Sequence, residues 1–290
     1  MTESVAATSD KARELKLRIA SAVVLAPIVL ALTVVGGRSF MALAVAAGVV
    51  MASEWATIVL GRSWGPIRLA GLALVGVAVA LGAGLVPLGT AVETVAAVVA
   101  LAGAVALAWR EAKRAGPDEA LAWAVVGPVY ATLPSLALAA VRGAPQGLWL
   151  VLFLFAVVWA TDIAAFFTGR ALGGPKLWPA VSPKKTWSGA LGGLAAAALA
   201  GTVVAWFAGA PRLGPVLVVG AILSIASQAG DLFESSLKRH FGVKDSGRII
   251  PGHGGLLDRV DGLVAAATAA AVIAAVNGGL GAANGGLIVW

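Results

Sequence analysis

The chain has 290 residues, 60% hydrophobic and 12% charged, with a mean hydropathy of +0.94, which excludes a water-soluble globule. Its net charge of +7 follows from the placement of Lys and Arg along membrane spans, described below, and does not point to nucleic acid. The absence of cysteine excludes disulfides and thiolate metal sites.

Apolar runs of membrane-spanning length recur from end to end. They predict spans at 19–35, 41–60, 69–85, 92–109, 120–141, 148–167, 190–208, 216–230 and 260–276. The fold class this predicts is an all-α polytopic integral membrane protein with about nine transmembrane helices. Residues 1–18 read as a charged cytoplasmic tail without a cleavable signal pattern, so the first run is expected to remain as a helix. The polar breaks are short, which predicts one integral catalytic domain over 19–290, with its site in 160–276. Segment 278–290 is short and glycine-rich, and is expected to be peripheral. With nine spans, 18 of the 21 Lys and Arg fall on one side, and only Arg38, Arg142 and Arg212 on the other. That asymmetry predicts a cytoplasmic N-terminus. It puts the two longest polar loops, about 168–189 and 231–259, on the same cytoplasmic face.

In chain order, the first acids within apolar runs are Glu54 and Glu93; Glu93 lies near a helix end, where a structural or interfacial role is expected. Asp162 follows near the cytoplasmic end of the sixth span, and an acid there is a functional suspect. The segment after it carries Gly169-Arg170, Lys176, and the run Ser182, Lys184, Lys185, Thr186 just before the seventh span. Two lysines with hydroxyls at a helix start suit a triphosphate, although a basic loop with an interfacial Trp187 is also what membrane topology alone supplies.

The region 231–261 is the densest in charge. Asp231 and Glu234 are three apart, as are Asp258 and Asp261, among Lys238, Arg239, Lys244, Arg248 and Arg259. An Asp-x-x-Asp pair can simply cap a helix or pair with Arg259 or Lys238; with a second acidic pair and so many cations, it can also hold a divalent metal beside phosphates. The turn Gly252-His253-Gly254-Gly255 leads into a helix N-terminus, where glycine N–H groups can approach an anion. His253 reads equally as a phosphate donor, an acid/base or an interfacial histidine. His240 reads as structural.

On these residues the chain resembles the phosphatidate cytidylyltransferase (CDP-diacylglycerol synthase) family. The family's signature runs Ser-x-apolar-Lys-Arg, four residues, Lys-Asp, then Pro-x-His-Gly-Gly-apolar-x-Asp-Arg-apolar-Asp. It is matched without a gap from Ser235 to Asp261. Gly230-Asp231, Asp162 to Arg170, Ser182 to Thr186 and, less specifically, Leu17 to Pro27 resemble its other shared segments. Phe166 stands where the family often has Tyr, and Ser188 where it often has Glu or Gln. The resemblance implies that CTP and phosphatidic acid give CDP-diacylglycerol and pyrophosphate, for phospholipid biosynthesis by a multi-pass enzyme of the cell inner (cytoplasmic) membrane.

With that reaction in view, Asp231, Asp258 and Asp261 are expected to hold Mg²⁺, with Asp162 as a candidate further ligand. Lys238, Arg239, Lys244 and Arg259 are expected to bind phosphates, assisted by Ser182, Lys184, Lys185, Thr186 and the turn of His253, Gly254 and Gly255. The family also suggests a monovalent cation such as K⁺ and a homodimer. Rival readings are a CTP-dependent polyprenol kinase, a cytidylyltransferase for isoprenoid ether lipids, and a cation transporter. The last predicts acids at several midplane positions, whereas here most lie near one face.

Overall fold

A computed structural model describes residues 2–61 and 64–277, so Arg62 and segment 278–290 lie outside the described residues. Among the described residues the chain forms nine helices and one small hairpin. In chain order these are α1 (Thr2–Val35), α2 (Gly37–Leu60), α3 (Pro66–Gly82), α4 (Thr90–Ala115), α5 (Ala120–Gly143) and α6 (Gly147–Leu172). The hairpin β1 (Lys176–Trp178) and β2 (Ser182–Thr186) precedes α7 (Trp187–Phe207), α8 (Leu213–His240) and α9 (Leu257–Val276).

Eight of these helices are long and apolar enough to cross a membrane. The remaining one, α3, has 17 residues, which at 1.5 Å per residue gives about 26 Å, the short end of the spanning range. Helix formation is obligatory here, because a lipid-facing backbone has no other hydrogen-bond partners. Large apolar side chains such as Val95, Val98, Val99, Phe167 and Val203 are more than half exposed on the outside, as lipid-facing positions should be. The protein is therefore a multi-pass membrane protein.

Three boundaries differ from the sequence expectation and bear on the site. Helix α1 begins at Thr2, so the charged tail is largely helical. Helix α8 runs to His240, ten residues past the apolar run, which places Asp231, Glu234, Lys238 and Arg239 on a helix and not in a loop. The segment before α7 contains an antiparallel hairpin, pairing Lys176 with Thr186 and Trp178 with Ser182. Apolar periodicity could not reveal it, because the strand residues are mostly polar.

Two apolar clusters hold the bundle together. One joins α6 to α7, α8 and α9 through Phe153, Leu154, Val157, Ala197, Leu223, Ala266 and Ala270. The other packs Trp55, Val75, Ala104 and Ala124 of α2 to α5 against Leu237, Leu257 and Val264. The second cluster fastens the N-terminal helices to the start of α9 and the end of α8, where the polar residues lie.

Candidate active site

The crossing of α8 and α9 is set by two glycines. A Cβ at Gly230 would lie 2.6 Å from both the Asp261 carbonyl oxygen and Ala265 Cβ, and one at Gly262 2.5 Å from Ser227 Oγ. Only hydrogen at these positions lets the helices approach so closely. The approach brings Asp231 of α8 and Asp261 of α9 within electrostatic reach of each other, and Asp162 of α6 joins them. Three carboxylates from three helices thus converge at one end of the bundle.

Cations surround this group from two sides. Lys185, at the end of the hairpin, forms an ion pair with Asp231. Lys185 and Arg259 both act electrostatically on Asp162, so the hairpin and the α9 entrance both face that acid. Between α6, the hairpin, α7 and α8 lies a cleft of about 580 Å³, lined by Asp162, Asp231, Arg170, Lys176, Lys184 and Lys185 among others. That volume suits a nucleotide-sized ligand. The Lys184 side chain is exposed in it.

The acids Asp162, Asp231 and Asp261 offer hard oxygen donors of the kind that suit Mg²⁺. Among the described residues no three such side chains already stand in coordinating geometry. Mg²⁺ does not require that, since it characteristically takes one or two carboxylates and completes its shell with water and substrate phosphates. The donor set therefore fits the ion.

Several residues expected to meet substrate have protein partners instead. Lys238 Nζ lies 2.6 Å from Glu234 Oε2 and 2.7 Å from Asp258 Oδ1, with its side chain 14% exposed. It bridges two buried acids and ties α8 to α9. Asp258 also accepts from Ser246 N (2.9 Å), Ser246 Oγ (2.9 Å) and Gly255 N (2.9 Å), the last tying the start of α9 back to the glycine turn. So Asp258 and Asp261, three residues apart, have different surroundings: one organises the turn, the other faces the acids. Glu234 is absent from the sequence-derived site; its i,i+4 spacing to Lys238 was the available signal, hidden while 231–259 read as a loop.

The glycine turn is likewise closed upon itself. Gly254 N donates to Ile250 O at 3.1 Å, Ile250 N donates to Gly254 O at 2.9 Å, and Gly255 N is taken by Asp258. The amides expected to cradle an anion are already bonded. Thr186 is 5% exposed and caps α7, accepting from Gly189 N at 3.1 Å, as Thr does at an N-cap. Ser182 pairs with Trp178 at the far end of β2 and is not part of the cleft lining. Arg239 and Lys244 are exposed.

His253 Nδ1 lies 2.7 Å from Ser21 Oγ of α1, and Arg18 Nε donates to Gly252 O at 2.9 Å. Arg259 Nε donates to His253 O at 3.0 Å. Burial, then the cations Arg259 and Arg18, hold the His253 pKa below its ordinary 6.5, so the ring is neutral at pH 7. The first helix is thus stitched to the turn, a contact no sequence spacing foretold.

Fold and cleft together define an integral membrane protein that gathers acids and lysines at one end of its bundle, an arrangement suited to a metal-assisted reaction of a polyphosphate. The chain belongs to the Cytidylyltransferase family, whose description matches residues 16–276. It is 47% identical over 258 residues to a phosphatidate cytidylyltransferase of Brucella suis biovar 1, covering 87% of this chain and 90% of that protein. A phosphatidate cytidylyltransferase of Brucella abortus biovar 1 is 46% identical over the same share of each chain. One from Staphylococcus haemolyticus is 51% identical over 117 residues, 40% of this chain and 45% of that protein.

Proposed function

We propose that this protein transfers the cytidylyl group of CTP to phosphatidic acid, giving CDP-diacylglycerol and pyrophosphate. The observation that carries the reading is the 47% identity across 87% of the chain to a relative of that name. A phosphate oxygen of phosphatidic acid attacks the α-phosphorus of CTP. The new P–O–P bond forms as the α–β phosphoanhydride breaks, and pyrophosphate leaves with the electron pair. The nucleophile is already anionic, so the difficulty is the repulsion of two polyanions and not proton removal.

Each residue then has a task. Asp162, Asp231 and Asp261 would hold Mg²⁺, which when bound neutralises phosphate charge and acts as a Lewis acid. Lys184 and Lys176 bind the nucleotide phosphates in the cleft, and Lys185, now paired with Asp231, moves to phosphate when the acids are otherwise neutralised. Arg259, facing Asp162 from the α9 side, is suited to the lipid phosphate. Lys238 and Asp258 keep α8 and α9 in register. His253 is a neutral hydrogen-bonding group.

Radiolabelled CTP and phosphatidic acid with purified protein, with and without Mg²⁺, test the reading. CDP-diacylglycerol that forms only with Mg²⁺ is the expected product; a lipid carrying phosphate alone would mean a kinase. We also place the N-terminus on the cytoplasmic side of the inner membrane, with the enzyme acting as a homodimer. Because the chain lacks cysteine, single cysteines introduced at Gly242 and Gly209 can be labelled from either side, and light scattering gives the mass of the assembly.

A further inference from the structure

Glu54, on α2, contributes nothing to the cleft, yet the residue is 6% exposed and its carboxylate is bonded to the entrance of α9. Oε1 accepts from Leu256 N at 2.9 Å and Oε2 from Leu257 N at 2.7 Å. These are N-terminal amides of α9, which have no partner within their own helix. The residue at the N-cap of α9 is Leu256, which has no side-chain acceptor. Two other helices are capped by nearby side chains: Thr186 caps α7, and Glu93 accepts from Leu88 N and Gly89 N at the start of α4. For α9 the cap comes from a residue 202 positions earlier.

The clamp reaches further into the site. Ser246 Oγ lies 3.3 Å from Glu54 Oε2 and 2.9 Å from Asp258 Oδ2, so one hydroxyl proton is shared between two carboxylates. A Cβ at Gly247 would sit 2.5 Å from Glu54 Oε1, and one at Gly255 would sit 2.7 Å from that oxygen and 2.0 Å from Ser246 Oγ. The turn is closed directly around this carboxylate. Asp258 in turn holds Lys238, and one turn along α9 lies Asp261.

We propose that Glu54 is a positioning residue for the transfer reaction: from α2, and through Ser246, it fixes the entrance of α9 so that Asp258 grips Lys238 and Asp261 faces Asp162 and Asp231. The proposal rests on the cytidylyltransferase reading above and assigns α2 a part in it. An acid touching only backbone amides and a serine acts on the rate through geometry, and not by contact with substrate.

The experiment compares the full-length wild type, Glu54→Gln, Ser246→Ala and the double variant in detergent. It measures kcat and KM for CTP and phosphatidic acid, thermal midpoint, and hydrogen exchange of the amides. Glu54→Gln is expected to lower kcat about 10–100-fold, as loss of an orienting partner does, with both KM values within about twofold. Exchange at Leu256 and Leu257 should quicken. The double variant should lose no more than Glu54→Gln alone, within about twofold, because the two residues act in one chain. A wild-type kcat in folded Glu54→Gln, or losses that multiply in the double variant, overturns the proposal. Should Glu54→Gln fail to fold, Ser246→Ala decides: a lowered kcat in folded protein supports the clamp and a wild-type kcat overturns it. Wild-type protein that makes no CDP-diacylglycerol would instead sink the assigned reaction, while exchange at Leu256 and Leu257 still reports on the clamp.

Discussion

The hairpin segment before α7 and the junction of α8 with α9 both face Asp162, yet they treat their polar groups in opposite ways. In the hairpin segment, Lys176 and Lys184 present exposed ammonium groups to the cleft. At the junction, Lys238 of α8, Asp258 of α9, and Gly254 and Gly255 of the turn between them are already bonded to the protein. Both segments are rich in the residue types that bind phosphate, and composition does not separate them. The difference is that the hairpin keeps Lys176 and Lys184 open to a ligand beside the engaged Lys185 and Thr186, whereas the junction uses its groups to fix the positions of α8 and α9. A polar segment between membrane helices can therefore be a binding surface or a brace, and the two should answer differently to mutation.

The largest effect is expected at the converging acids. Asp231→Asn and Asp261→Asn should each lower kcat on the order of 10²–10³-fold, comparable to loss of one preorganised transition-state contact, while the protein still inserts and folds. Turnover measured against Mg²⁺ concentration checks this, and near-normal activity of either variant would remove it from the metal site.

The brace should register first as stability. Lys238→Ala strands the acids Glu234 and Asp258, whose side chains are 1% and 6% exposed. Breaking such a buried pair costs about 3–5 kcal/mol, visible as a lowered thermal midpoint. Adding Glu234→Gln to Lys238→Ala should recover part of it. A variant that keeps the wild-type midpoint and only raises KM would return Lys238 to the binding surface.

The open segment should show the reverse. Lys184→Ala is expected to reduce kcat/KM for CTP by about 1.5–3 kcal/mol, the worth of a charge-assisted hydrogen bond, through KM and without a change in midpoint. A lowered midpoint with unchanged KM would make the hairpin a brace as well.

The smallest effect concerns pH. His253 has a pKa held below 6.5 by burial and by Arg259 and Arg18, so the folded protein binds fewer protons there than the unfolded chain. Its contribution to stability is complete above about pH 6.5 and declines as the pH falls through the lowered value. Replacing it, as in His253→Gln, should flatten the acid limb of the midpoint-versus-pH curve between about pH 7 and 5. An unchanged limb would show that burial and the two arginines do not hold the ring's pKa down.

The spans were legible because hydrocarbon imposes a single rule on the sequence. About twenty apolar residues must form a helix, and each of the nine runs from 19–35 to 260–276 falls on a helix of the structure. The acids were legible for a related reason: Asp162 and Asp261 are conspicuous because ionised groups near hydrocarbon are costly. Glu234 and the hairpin were not. The end of the apolar run at residue 230 reads as the end of the helix, while α8 continues into the polar region. Helix propensity and i,i+4 pairing, which carry it to His240, leave a weaker mark than hydropathy. Thr186, Gly254 and Gly255 look the same in sequence whether their hydrogen-bonding groups meet a ligand or the protein.

By itself the sequence determined the membrane class, the number of helices, and the family that the Ser235 to Asp261 signature resembles. All three depend on local composition or fixed spacing along the chain. Only the tertiary structure decided which of the charged residues are open to a ligand. That depends on partners far apart in sequence, such as Ser21 beside His253 and Glu54 at the start of α9. A donor's availability is set by whether another part of the fold has reached it first, and no spacing within a single segment records that.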